Sequence, residues 1–313
     1  MTLQPATVGE LADALCDANA RGTRISGFDL RALNRIVDFV PEDMTVTVEA
    51  GLTLGFLQTE LARRGQWLPI DPPHPAQLSI GALVASNASG PRRYGFGTVR
   101  DWLIGIKVAL GDGRIIKSGG RVVKNVAGYD LAKLFIGSRG SLGVIVEASF
   151  KLRPLPESER LLQINCESSA NAIKLIDAVV ESDLTPVVFD LHRISPSASR
   201  PSAVLVLGFA GSREEVEWQV EQAGVLGINA LGTLDYATNF WEGQPRPQCL
   251  SILPSTLGET IERLGGIPFV ARAGNGIVYH RGEPPPKSSA PLKLMQRIKD
   301  EFDPKHILPD FSQ

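Results

Sequence analysis

Val144, Val146, Ala148, Phe150 and Leu152 fall in one phase of an alternation whose other phase carries Glu147, Ser149, Lys151 and Arg153. A side-chain period of two describes a strand with one buried face. The same period over 44–50 predicts a second strand. Val8, Leu11, Ala12, Leu15 and Cys16 recur instead at helical spacing behind Thr7-x-x-Glu10, which predicts a capped amphipathic helix over about 7–20. Another helix is predicted over 53–65, opened by Thr53 and closed by Arg63-Arg64-Gly65. Two apolar runs, 102–110 and 114–117, flank Gly111-Asp-Gly113 and predict a hairpin. A short helix is expected over 130–136.

Pro154 and Pro156 close the Val144 strand, and the main domain boundary is placed there. Beyond it the pattern predicts strands over 161–166, 186–193, 203–209, 249–253, 267–271 and 276–280. Helices are predicted over 169–181, 212–224 and 255–265, with an irregular stretch over 225–248. This interleaving suggests an α+β sandwich with antiparallel pairs, followed by a last helix over 290–302.

At 313 residues the chain exceeds the size at which one core stops growing, so two lobes are expected. The formal net charge is −2 with no block of like charges, which gives no signal for a nucleic-acid groove or an anionic membrane surface. The 31 glycines and 22 prolines imply many tight turns, and they follow no repeat period. Cys16, Cys166 and Cys249 are far apart and odd in number, the pattern of buried thiols in a reducing compartment. They argue against a disulfide framework, a zinc site or an iron–sulfur cluster held by this chain alone. Glu10 and Asp13 interrupt the apolar core a secretory signal needs, and no apolar run reaches membrane-spanning length.

Three glycine-bearing turns stand out: Ser79-Ile80-Gly81-Ala82, Asn87-Ala88-Ser89-Gly90, and the run from Gly137 through Gly140 to Gly143. Residues without Cβ let main-chain N–H groups approach a ligand, and several such turns in one stretch point to a large cofactor. Gly137, Gly140 and Gly143 are spaced G-x-x-G-x-x-G and follow a helix into a strand, so a Rossmann pyrophosphate turn is disfavoured.

The ordered motifs Pro-Pro-x-Pro, Ser-Ile-Gly, Asn-x-Ser-Gly, Arg-Tyr-Gly, Gly-x-Val-Arg-Asp, Val-Lys-Asn-Val-Ala-Gly-Tyr-Asp-Leu and Gly-Ser-Leu-Gly-Val-Ile resemble the flavin-binding fold of the vanillyl-alcohol-oxidase-type FAD enzymes. The block over 123–131 is most similar to the FAD-binding subunit of bacterial glycolate oxidase. The resemblance implies an α+β protein in three parts. These are a PCMH-type FAD-binding domain of two α/β subdomains (1–153), an α+β antiparallel-sheet cap domain (154–289), and a C-terminal helix and tail (290–313) packing back on the FAD domain. The family's longer glycine-rich pyrophosphate loop is reduced here to Ser26-Gly27.

By the same resemblance, Ser79, Ile80 and Gly81 supply backbone and hydroxyl donors to the FAD pyrophosphate. Asn87, Ser89, Gly90, Tyr94 and Gly95 border the flavin ring, and Gly140, Gly143, Val144 and Ile145 shape the adenosine end. Arg100 and Asp101 complete the implied cofactor set. Lys124, Asn125, Tyr129 and Asp130 either cap and pack locally or shape the flavin's far side or a subunit contact. Arg139 stands where many relatives carry Glu.

Flavin oxidation of a 2-hydroxy acid needs a cation for the carboxylate and a base for the hydroxyl proton. His74, His192, His280 and His306 show no paired metal-ligand spacing, so no metal site is expected. His280 and His74 are candidates to face the site, against ordinary roles at a strand end and in a turn. Arg272 is a candidate carboxylate anchor, against a solvated loop arginine. No residue is assigned as catalytic.

The resemblance implies a subunit that oxidises glycolate or D-lactate, working beside a paralogous flavin subunit and an iron–sulfur subunit. It would be cytoplasmic, with any membrane association made through partners. Two alternatives stay open: a degenerate flavin fold kept for assembly or regulation, and an independent FAD oxidoreductase of unrelated substrate.

Overall fold

A computed structural model describes residues 1–120, 131–194, 203–283 and 292–311. The block over 121–130, with Lys124, Asn125, Tyr129 and Asp130, lies outside the described residues.

The period-two segments assemble into a five-stranded sheet ordered Ile36–Val40, Thr45–Glu49, Val144–Lys151, Leu103–Ala109, Ile115–Gly119, with every neighbour antiparallel. Val46, Val48, Ala148 and Phe150 pack beneath helices Leu54–Ala62 and Ile80–Ser86. Opposing polar residues pair across the sheet. Thr47 Oγ meets Ser149 Oγ at 2.8 Å, and Lys107 Nζ donates to Glu147 Oε2 at 2.7 Å.

The first helix forms as its pattern predicts, over Val8–Arg21. Thr7 Oγ accepts from Glu10 N, and the Glu10 carboxylate accepts from Ala6 N. Its apolar stripe, Leu11, Leu15 and Ala18, packs with Ile25, Val144, Val146, Ile307 and Leu308. The last described helix, Leu292–Phe302, returns to this lobe, where the Phe302 ring meets Phe135 edge-on at 5.6 Å.

A seven-stranded antiparallel sheet forms the second lobe, in the order Ala230–Leu231, Ser158–Cys166, Ala203–Gly211, Val188–Arg193, Phe269–Arg272, Ile277–His280, Gln248–Ser251. One face, with Phe189, Leu191, Leu205, Leu207 and Phe269, lies under helices Ser169–Glu181, Arg213–Val225 and Leu257–Leu264. The other, with Val188, Val206 and Val270, is covered by helix Asp235–Glu242 through Tyr236, Ala237 and Phe240. That helix occupies the stretch expected to be irregular; two turns hold too few apolar repeats to announce a period.

Three contacts fix the second lobe against the first. Gly95 N donates to Val187 O (3.1 Å), and the Tyr94 ring meets Phe189 edge-on at 5.3 Å. Arg92 reaches both sides, donating from Nη1 to Asp71 Oδ2 (3.0 Å) and from Nε to Glu159 Oε1 (2.9 Å).

Candidate functional site

Strand Thr45–Glu49 runs out into Gly51, where an added Cβ would fall 1.8 Å from the Leu30 carbonyl oxygen. Only glycine allows the chain at 30 to lie this close, and the contact brings the segment 26–31 opposite the first lobe's sheet. That segment is held by Ile25 N to Ile307 O (2.7 Å), Ser26 N to Met1 O (2.8 Å) and Asp29 N to Leu3 O (2.8 Å). Thr2–Leu3 pairs in parallel with Gly27–Phe28, at the place where the resemblance puts the family's pyrophosphate loop, reduced here to Ser26-Gly27.

Between 26–31 and the sheet lies a cleft of about 620 Å³, also walled by Ser79, Gly81, Gly140, Gly143, Val144 and Ile145. Its size falls within the roughly 300–1,000 Å³ range of cofactor and ligand pockets. Ser79 is the N-cap of helix Ile80–Ser86, its Oγ accepting from Ala82 N at 3.2 Å, so the stretch read as a glycine turn is helical. The hydroxyl hydrogen remains available to a ligand.

At the other end of this helix, Gly137 N donates to Val84 O and Arg139 N to Ala85 O, suturing the loop 137–143 to it. Gly140 takes φ 80° with open space where a Cβ would stand. Asn87 Oδ1 and Ser138 Oγ are buried without a hydrogen-bond partner among the described residues. Of the charged lining residues, Arg31 and Arg139 outnumber Asp29. Hydrogen bonds from Arg31 hold the Asp29 carboxyl down at about 2.

An open glycine wall and cations in excess of carboxylates along the cleft suit a dinucleotide diphosphate. Residues 25–119 match the sequence model of a family described as FAD binding domain. That stretch is similar to an FAD-binding domain.

Curated relatives of the chain include the glycolate oxidase subunit GlcD of Bacillus subtilis, 33% identical over 204 residues, covering 61% of this chain and 43% of that protein. The glycolate oxidase subunit GlcE of Escherichia coli is 40% identical over 136 residues, covering 43% of this chain and 39% of that one. The chain thus spans about two fifths of the length of these relatives. An alkyldihydroxyacetonephosphate synthase structure superposes with a TM-score of 0.73 at 14% identity, covering 98% of this chain and 76% of that one; it shows the fold. When bound, FAD supplies two-electron redox chemistry.

The sequence-derived set divides around this cleft. Ser79, Gly81, Gly140, Gly143, Val144 and Ile145 line it. Ile80 points into the core, and the N–H groups of Ile80 and Gly81 are engaged with Leu52 O (2.8 Å) and Ala50 O (2.7 Å), so neither amide is a free donor. Asn87 sits at the helix end beside Gly137. Ser89 and Gly90 are buried; Ser89 Oγ accepts from Arg93 Nη1 (3.2 Å), and a Cβ on Gly90 would strike Asp71 O.

Tyr94 and Gly95 meet the second lobe at Gly274 and Val187. Arg100 is exposed, and Asp101 is occupied as the N3 residue of a capping box, accepting from Thr98 N (2.8 Å) and Thr98 Oγ (3.0 Å). Neither lines the cleft. Sequence reasoning missed Gly51, Gln77 and Pro309, and read 26–31 only as a shortened loop.

A second cleft, about 610 Å³, opens between the lobes, lined by Asp71, His74, Arg92, Glu159, Trp67 and Trp241 among others. Burial raises the Asp71 carboxyl to about 6 against the opposing pull of Arg92 and Arg272. Nearby, Arg272 Nη1 donates to Asp190 Oδ2, which also accepts from Tyr236 Oη. Arg272 is therefore a buried ion-pair partner, not a solvated loop arginine. His192 stacks on Tyr236 with ring centroids 4.1 Å apart, and burial pushes its imidazole down to about 4. His280 is also buried, its Nδ1 accepting from Gly282 N (3.2 Å) and its basicity lowered by burial.

Proposed function

We propose that the chain is the FAD-binding subunit of a complex that oxidises glycolate or D-lactate and hands electrons to an iron–sulfur partner. The observation that carries this reading is the convergence of 26–31, Ser79–Gly81 and Gly140–Ile145, distant in sequence, on one elongated cleft. The similarity to two glycolate oxidase subunits supports the substrate class. Arg92 and Arg272 are already paired with carboxylates. Arg93 donates to Ser89 Oγ and meets no carboxylate among the described residues. We assign Arg93 to the substrate carboxylate.

The test begins with the purified chain, which is expected to be yellow and to release FAD on denaturation. Anaerobic glycolate or D-lactate should bleach the flavin in the presence of partner subunits. Arg93→Met should keep the flavin and lose the bleaching. Colourless protein that takes up no added FAD overturns the flavin reading, and brisk turnover by the isolated chain overturns the subunit assignment.

A second reading, a flavin fold retained for assembly or regulation, is favoured by the Thr2–Leu3 pairing at the site of the shortened loop. It predicts a chain that holds no flavin and contributes no 2-hydroxy-acid turnover of its own, with or without partners.

A further inference from the structure

The described residues contain a fully buried ion pair that neither fold expectations nor the proposed redox chemistry uses. Lys299 Nζ and Asp303 Oδ2 lie 2.6 Å apart, with side chains 2% and 1% exposed. Burying two charges costs several kcal/mol in desolvation, which their mutual attraction offsets only when the remaining hydrogen-bonding capacity is satisfied. Here it is satisfied by backbone.

Lys299 Nζ also donates to Ser141 O (3.0 Å) and Leu308 O (3.3 Å). Asp303 accepts from Ile307 N (3.0 Å) at Oδ1 and from Leu308 N (2.9 Å) at Oδ2. Ser141 lies between Gly140 and Gly143 on one wall of the FAD cleft, and Pro309, next to Leu308, lines the cleft directly. Ile307 O accepts from Ile25 N, at the root of the opposite wall. One ion pair thus ties both walls together from behind.

Anchoring the helix does not demand this pair, because Ile298 and Phe302 already pack it on the first lobe's core. A buried ion pair is weak evidence for net stability, and fixing register is the best-attested use of such pairs.

We infer that Lys299 and Asp303 are positioning residues that set the spacing of the FAD cleft by fixing the Gly140–Gly143 loop to the 307–309 segment. This rests on the reading that the cleft holds FAD. The pair touches no ligand itself; it acts through Ser141 and Leu308.

The experiment replaces the pair with apolar residues of similar volume, Lys299→Met with Asp303→Leu, and measures FAD affinity of the apo-chain by flavin fluorescence alongside its unfolding midpoint. The expected result is a folded protein with affinity weakened about tenfold or more and an altered visible flavin spectrum. A folded double variant with wild-type affinity and spectrum overturns the inference.

Should the double variant fail to fold, amide exchange of the wild-type chain with and without FAD decides the matter. Coupling is reciprocal, so FAD should slow exchange over 303–308 together with 138–143. Slowing confined to 138–143 overturns the inference. Wild-type protein that takes up no FAD overturns the reading of the cleft and the inference with it, which separates the two failures.

Discussion

Two glycines on one wall of the cleft assigned to FAD answer to different forces, and substitution separates them. At Gly143 an added methyl would stand 2.7 Å from Val108 Cγ1 and 3.1 Å from Ala109 O, the neighbouring strand of the sheet. Backbone in a ladder yields little, so Gly143→Ala should cost about 1–3 kcal/mol by overpacking. At Gly140 the obstacle is conformational: φ is 80°, and nothing lies within 4 Å of the added carbon. Gly140→Ala should cost about 1–2 kcal/mol through left-handed strain alone, but its methyl projects into the space assigned to FAD. Thermal unfolding without FAD should rank Gly143→Ala as at least equally destabilised. FAD titration should show the clearer loss for Gly140→Ala; the reverse order in titration would mean that Gly140 does not face the ligand.

Single elements show where sequence motif and physical role part company. Asp101 belongs to a family motif, yet its carboxylate closes a capping box at the head of the one-turn helix Val99–Trp102. Asp101→Ala should therefore lower stability by about 0.5–2 kcal/mol and leave FAD affinity unchanged, as measured by urea unfolding and flavin titration. A folded variant with weakened FAD binding would restore the cofactor role.

Elements with a sustained period were legible beforehand. Val144–Lys151 and Val8–Arg21 emerge from alternation and from helical spacing behind a Thr cap. Helices Ile80–Ser86 and Asp235–Glu242 were not, because about two turns cannot display a period and the first carries a glycine. In the site, the glycine-bearing wall was readable because close approach to a ligand demands particular residues. The opposite wall depends on a carbonyl at Leu30 meeting Gly51, and pattern carries no record of a tertiary contact. Tyr94 and Gly95 were flagged by motif, but motif does not say what they touch, which is Gly274 and Val187 across the lobe junction.

At the scale of the whole molecule, two buried titratable groups, Asp71 at the junction between the lobes and His192 within the second lobe, pull stability in opposite directions. His192 is buried against Tyr236, with its imidazole at about 4 instead of 6.5. On acidification the unfolded chain binds that proton first, so this stability is present above 6.5 and is lost as pH falls towards 4. Asp71 is raised from 3.8 to about 6, so the folded chain protonates first and gains stability as pH falls through 6 towards 3.8. Each effect is about 3 kcal/mol at most. Their windows overlap, so their sum in the wild type is nearly flat between about pH 4 and 6.

Removing either partner should expose the other. His192→Phe keeps an aromatic ring against Tyr236 and deletes the proton site, so, relative to wild type, it should grow more stable from pH 7.5 to pH 5. Asp71→Asn leaves Arg92 its bond to Glu159 and should lose stability relative to wild type over the same interval. Urea midpoints at the two pH values decide it. If both variants run parallel to the wild type, neither group titrates differently on folding, and packing and fixed ion pairs alone set stability in this range.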